Sequence, residues 1–359
     1  MSCRCQRILT KNNWGNDTFG LLRLPNNKYG VVSLNDVKDW ILNWEQGNLS
    51  FPHIYKSTEK LDEVRECLAE LEVVSENTKW LLKRWNDYRA SNDPNFPFYH
   101  EFKTYPRGLD NIYLVTGDES YLQDLLILVQ HKLDHHIHQT LKGFGTSDDR
   151  GYTLTVGAIP MILREVDFVL GGRAISQKEN KKYCPNLHFW GYLYSHDAFW
   201  PVERGYNMGN TNMTLGVYTT LGKIGCLLKT HPMAEEWAKS AIKGINVSLE
   251  SNHHLPDTTQ DEWYGHLTLD MITQAGVFLK TAGFHNIFDD LRYKYGLVFY
   301  GQLLTPTDPH CNAGYIAPFG QWASNLEPFG RMEDCCIHDE GEPSQFFRTN
   351  AVLLETCGN

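Results

Sequence analysis

Three stretches of the chain gather amides, aromatic rings and titratable groups between runs that read as helix. The first is Tyr192-Leu-Tyr-Ser-His-Asp-Ala-Phe-Trp200, continuing through Arg204 to Tyr206. The second is Asn207-Met-Gly-Asn-Thr-Asn212, and the third is Asn252-His-His-Leu-Pro-Asp-Thr-Thr-Gln-Asp-Glu-Trp-Tyr-Gly-His266. An amide such as Asn210 can donate hydrogen bonds to a carboxylate. A phenol such as Tyr264 gives or takes a proton according to the charges around it. The indoles of Trp200 and Trp263 offer flat apolar faces. Plainer readings stand beside these: Asn207, Asn210 and Asn212 as helix caps, and Tyr264 packed against Trp263. The carboxylates Asp197, Asp257, Asp261 and Glu262 offer a different chemistry, that of a paired acid and base.

Other motifs carry less. His131, His135 and His138 recur at helical spacing, but HExxH is missing, so a solvated helix face is the better reading than a metal site. Cys335-Cys-Ile-His-Asp339 is at most half a metal site, and no metal or cofactor is expected. Nine cysteines without zinc spacing define no disulfide framework. No P-loop, GxGxxG or GxSxG occurs, which sets aside nucleotide-dependent and nucleophile-elbow chemistry. Four Asn-x-Ser/Thr sequons, at Asn16, Asn48, Asn212 and Asn246, are short enough to arise by chance.

The elements that must position these groups are helical from about residue 34 to residue 300. Ser33-Leu-Asn-Asp36 opens a run with Val37, Trp40, Ile41 and Trp44 on one face. Ser57 is expected to cap a long stretch reaching Ala90, broken near Ser75 and Asn77. Leu109–Val115 and Tyr121–Leu141 read as a pair broken at Thr116-Gly-Asp118, followed by Thr153–Leu170. Met213, Val217, Leu221, Ile224 and Leu228 form one apolar stripe, ended by His231-Pro232. Pro232 is expected in the first turn of the next helix, with Trp237, Ala241 and Ile245. A loop over 251–262 then leads to a stripe of Leu267, Met271, Ala275 and Leu279, closed by Gly283. After Tyr300, Pro306, Pro309, Pro318, Pro328 and Pro343 break the chain into loops and short strands.

The expected fold is therefore all-α, an incomplete (α/α) toroid of antiparallel helix pairs with a loop- and strand-rich C-terminal segment. Residues 1–33 form an N-terminal extended segment, 34–300 the toroid, and 301–359 a crossover into a β-rich region that is cut short. The 359 residues are 42% hydrophobic and 21% charged, so a folded core is expected rather than wholesale disorder. A net charge of −10 argues against a nucleic-acid or anionic-membrane binder, which needs a basic face. No apolar run approaches a membrane span, and no h-region follows the N-terminal charges. Ten Trp, 18 Tyr and 17 Phe suit a large core, a carbohydrate groove, or both.

Taken together, Gly209-Asn-Thr-Asn-Met213 with His231-Pro-Met-Ala-Glu-Glu-Trp237, the Pro256-Asp257 turn into Glu262-Trp-Tyr-Gly265, and Leu304-Thr-Pro-Thr-Asp-Pro-His310 with Ala317-Pro-Phe-Gly320 form an ordered set. In that order and spacing the chain resembles the heparinase II/III-like polysaccharide lyases, over most of residues 34–320. The resemblance implies an α/α toroid followed by a β-sandwich, and cleavage of a uronic-acid polysaccharide by β-elimination. It further implies Asn210 as the group neutralising the uronate carboxylate and Tyr264 as base or acid. His196, Arg204 and His266 would support charge, and Trp200, Trp263, Asn207 and Glu262 would line the substrate. The implied partner is an acidic polysaccharide, and the implied setting is secreted or periplasmic. Thr211 stands where several members of the family carry a histidine, so the second acid or base is left open. Two other readings remain: a glycoside hydrolase on a similar toroid, and a toroid that only binds glycan or protein. Neither oligomeric state nor endo or exo action is readable.

Overall fold

The computed structural model describes residues 52–55, 57–70, 72–90, 109–141, 158–172, 187–195, 211–252 and 262–302, and the short stretches 337–338 and 342–343. Helices make up 86% of the described residues, so the described part of the chain is mostly α-helical. They are α1 (Thr58–Ala69), α2 (Glu72–Ala90), α3 (Leu109–Thr116), α4 (Glu119–Leu141) and α5 (Ala158–Gly171), then α6 (187–195). There follow α7 (Thr211–Leu227), α8 (Ala234–Asn252), α9 (Glu262–Ala282), a 3-10 turn (Ile287–Asp289) and α10 (Leu291–Gln302). Ile337–His338 pairs antiparallel with Glu342–Pro343. The expected helix opened at Ser33 lies outside the described residues, as do 153–157. Among the described residues no helix is long and apolar enough to cross a membrane.

The local signals explain most of these boundaries. Ser57 caps α1 as expected, its hydroxyl accepting from Lys60 N at 3.1 Å. The first helix already ends at Ala69, however, and Ser75 and Asn77 lie inside α2. Their propensity cost is a few tenths of a kcal/mol each, roughly, too little to interrupt a 19-residue helix. Between α3 and α4 the turn is the expected one. Gly117 adopts φ +67°, the left-handed geometry that ends a helix, and Asp118 accepts from Ser120 N at 2.8 Å to start the next. Those bonds to Ser120 hold the Asp118 carboxyl below its ordinary range.

Two compact units divide the chain. The first comprises residues 1–199 and 227–234, the second residues 200–226 and 235–359. In the first unit α4 packs on α3 and α5, with Trp85, Leu122, Leu125 and Phe168 fully buried. Phe168 meets Tyr55 and Tyr113 edge-on at 6.3 and 6.1 Å, the arrangement favoured by aromatic quadrupoles. Next to it Asp167 is wholly buried. Its carboxylate accepts from His53 N at 2.7 Å and Ile54 N at 3.0 Å, and lies 3.0 Å from His53 Nδ1. A single side chain thus fastens the 52–55 turn to α5. Asp124 similarly ties α4 to α2, accepting from Trp85 Nε1 at 2.9 Å and from Arg89 Nε at 2.8 Å.

In the second unit glycines let helices approach closely. A Cβ at Gly222 would lie 2.6 Å from Ala241 Cβ, and one at Gly244 would lie 2.2 Å from the Tyr218 ring. The pairs 222 with 241 and 218 with 244 make α7 and α8 antiparallel. Thr273 Oγ1 lies 2.7 Å from Tyr293 Oη, and Gly296 adjoins Leu269, so α9 and α10 are antiparallel too. Arg292, beside Tyr293, donates to Asn246 of α8 at 2.8 Å, while Gly222 borders both Ala241 and Leu279. Residue 241 is therefore level with 279 and residue 246 with about 273. This makes α8 antiparallel to α9, and α7 and α9 run in the same direction. The hydrogen bond to Arg292 and the burial of Ser248 also occupy the sequon at Asn246 within the fold.

Candidate functional site

The sequence-selected residues fall into two groups. His196, Trp200, Arg204, Asn207 and Asn210 lie outside the described residues. Glu262, Trp263, Tyr264 and His266 occupy the first five positions of α9. This corrects the expected loop, since the helix begins at Glu262 rather than Leu267. Glu262 at the first position is favoured there by the positive end of the helix dipole. The α7 boundary moves in the same sense: Asn212 lies within the helix, which starts at Thr211 immediately after Asn210.

Because α7 and α9 are parallel within one unit, their N-termini lie at one end of it. The start of α7 and the first turn of α9 form the candidate mouth. Two helix N-termini pointing the same way bring partial positive charge there, which favours an anionic group.

Below the mouth the structure holds a polar group that sequence reading passes over. Lys223 of α7 is only 2% exposed. Its Nζ donates to Gln274 Oε1 at 3.4 Å, and Gln274 Nε2 donates to the buried Asp270 at 2.8 Å. Burial lowers the Lys223 ammonium from its ordinary range to about 8, and the nearby Asp270 charge opposes that fall. A signal was present in the sequence. Glu262, His266, Asp270 and Gln274 recur every four residues, forming one row of α9. The adjacent apolar row of Leu267, Met271, Ala275 and Leu279 dominated the periodicity instead.

The first unit contains a separate histidine pair. His188 and His231 are both buried, their rings 4.8 Å apart, with Tyr192 edge-on to His231 at 5.8 Å. Met233 N donates to His231 Nδ1 at 3.1 Å, and Ala234 N to His231 O at 3.0 Å. His231 thereby opens α8 and corrects the expectation for Pro232, which lies in the preceding turn, two residues before Ala234. Burial depresses the His231 imidazole to about 4, and desolvation raises the Tyr192 phenol. An unfolded histidine near 6.5 takes up its proton first, so this site contributes its full stability above about pH 6.5 and loses it as pH falls toward 4. Thermal midpoints are accordingly expected to drop over that window. The drop should shrink in His231→Asn, whose Oδ1 can still accept from Met233 N, as scanning calorimetry at stepped pH would show. An equal drop in the variant would assign the acid sensitivity to other groups.

Among the described residues no three His, Cys, Asp or Glu side chains gather to hold a metal. The side chains of His131, His135 and His138 lie outside the described set. No protein-family model matches the chain, and neither the curated proteins nor the solved structures give a match.

Proposed function

We propose that the second unit carries the cleft of a polysaccharide lyase that cleaves a uronic-acid polymer by β-elimination on an α/α toroid. The observation that carries this reading is the common direction of α7 and α9. It puts the start of α7, the helix that follows Asn210 in sequence, and the first turn of α9, which contains Tyr264, at the same end of the unit. Elimination requires that C5 be made acidic by neutralising the adjacent carboxylate, that a base take its proton, and that an acid reach the leaving O4. Asn210 serves the carboxylate, together with the positive ends of the two helices. Tyr264 exchanges the proton. His266, His196 and Arg204 add positive charge, while Trp200, Trp263, Asn207 and Glu262 line the sugar path. A net charge of −10 makes such local cationic groups necessary for an anionic polymer. A substrate of this kind belongs to a secreted or periplasmic setting.

Mass spectrometry of the oligosaccharides released from uronate polymers tests the reaction type. Elimination leaves a new non-reducing end one water lighter than hydrolysis would. Products carrying the added water would transfer the reading to a glycoside hydrolase with a carboxylate pair among Asp197, Asp257, Asp261 and Glu262. Binding without cleavage would make the unit a glycan-binding toroid.

A further inference from the structure

The turn 227–234, which joins α7 to α8 in sequence, belongs to the first unit and is organised round a single ring. His231 N donates to Leu228 O at 2.7 Å, Ala234 N to His231 O at 3.0 Å, and Met233 N to His231 Nδ1 at 3.1 Å. Leu228, His231 and Ala234 are buried, whereas Lys229, Thr230 and Pro232 are exposed. The His231 ring lies against α6, with the His188 ring 4.8 Å away and the Tyr192 ring 5.8 Å away.

Nδ1 accepts from Met233 N through its lone pair, so the neutral ring carries its proton on Nε2. A further proton has to enter at Nδ1. There it would set two N–H donors face to face, and it would put a cation in the interior against a second buried imidazole. One protonation thus removes a bond that closes the turn and charges the contact that seats it. The titratable side chains facing His231 are His188 and Tyr192, both from α6. Lys229, Glu235 and Glu236, charged neighbours in sequence, are exposed. Desolvation raises the Tyr192 phenol, which therefore stays neutral through the acid range.

We propose that His231, seated against His188, is an acid-sensitive latch: neutral, it holds the 227–234 turn on α6, and on taking up a proton it frees the turn while α4 and the middle of α8 stay folded. The sign follows from linkage. A freed ring takes up its proton near the ordinary value of about 6.5, whereas burial holds the seated ring down to about 4. The latch is therefore fully shut above about pH 6.5 and gives way as pH falls toward 4. The device is local and reversible, which separates it from a general loss of stability in acid. It is also independent of the lyase reading.

The test is amide hydrogen exchange of the full chain, read by mass spectrometry in steps from about pH 7.5 to about pH 4.5 and corrected for the intrinsic rate. Peptides covering 228–234 should lose protection by about tenfold per pH unit below about pH 6.5, the slope of one proton. Peptides from α4 and from 238–249 of α8 should keep theirs, and return to the starting pH should restore the turn. His231→Asn, whose Oδ1 still accepts from Met233 N but takes up no proton, should make the protection of the turn independent of pH. Parallel loss of protection in α4 and α8 would be plain acid unfolding and would overturn the latch. So would a turn whose protection ignores pH in the unaltered chain, or a His231→Asn turn that opens with the same slope. The comparison of peptides needs the unaltered chain alone, so it decides even where the variant fails to fold.

Discussion

Tyr264→Phe is expected to lower the turnover of a uronate polymer by about a thousand-fold, within the range of roughly 10² to 10⁴ for a group that moves a proton in the transition state. The substitution removes one oxygen and keeps the ring, so packing and helix propensity at the third position of α9 barely change. Binding of oligosaccharide, followed by calorimetric titration, should stay within about twofold, since the phenol is asked to act on the proton and not to hold the sugar. The position suits the task. A phenolate in the first turn lies at the positive end of the helix dipole, which stabilises the charge that proton transfer requires. Loss of binding with turnover per bound substrate unchanged would instead make Tyr264 a substrate contact.

The second large effect is on stability. Asp167→Ala should cost about 3–5 kcal/mol, because it strands buried partners rather than deleting a whole pair. His53 N, Ile54 N and the His53 ring all address this one carboxylate, at 2.7, 3.0 and 3.0 Å. Removing it leaves two backbone donors without their acceptor in the interior. Against total stabilities of about 5–15 kcal/mol, such a loss would consume a large share. Urea unfolding followed by tryptophan fluorescence should show the midpoint falling sharply for Asp167→Ala and less for Asp167→Asn, which keeps one acceptor oxygen. Equal midpoints for the unaltered chain and Asp167→Ala would mean that the 52–55 turn contributes little to the fold.

The sequence made local features legible because they are local. Ser57 as a cap, the Thr116-Gly-Asp118 break and the stripe through Val217, Leu221 and Ile224 depend on residues a few positions apart, and all appear in the structure. The Ser75 and Asn77 break was wrong because weak propensities lose to an otherwise continuous helix. The Asp167 staple joins residues 114 apart and leaves no periodic trace. In the site, the polar composition of 252–266 pointed to a loop, whereas Glu262 begins the helix. The row Glu262, His266, Asp270 and Gln274 is polar, and the apolar row beside it dominates the helical period. Lys223 sits among Ile224, Cys226 and Leu227 in sequence, and its hydrogen bond to Gln274 of α9 joins residues 51 apart, which no local pattern announces.

The central claim, elimination at the α7–α9 mouth, meets its most direct test in the ultraviolet absorbance of a uronate polymer panel. Heparan, chondroitin, alginate and ulvan would each be incubated with the full chain and with Tyr264→Phe. The account predicts a rise from the conjugated unsaturated uronate on at least one polymer, abolished in the variant. A flat trace on every polymer while reducing ends accumulate, or a rise that Tyr264→Phe leaves intact, would contradict it.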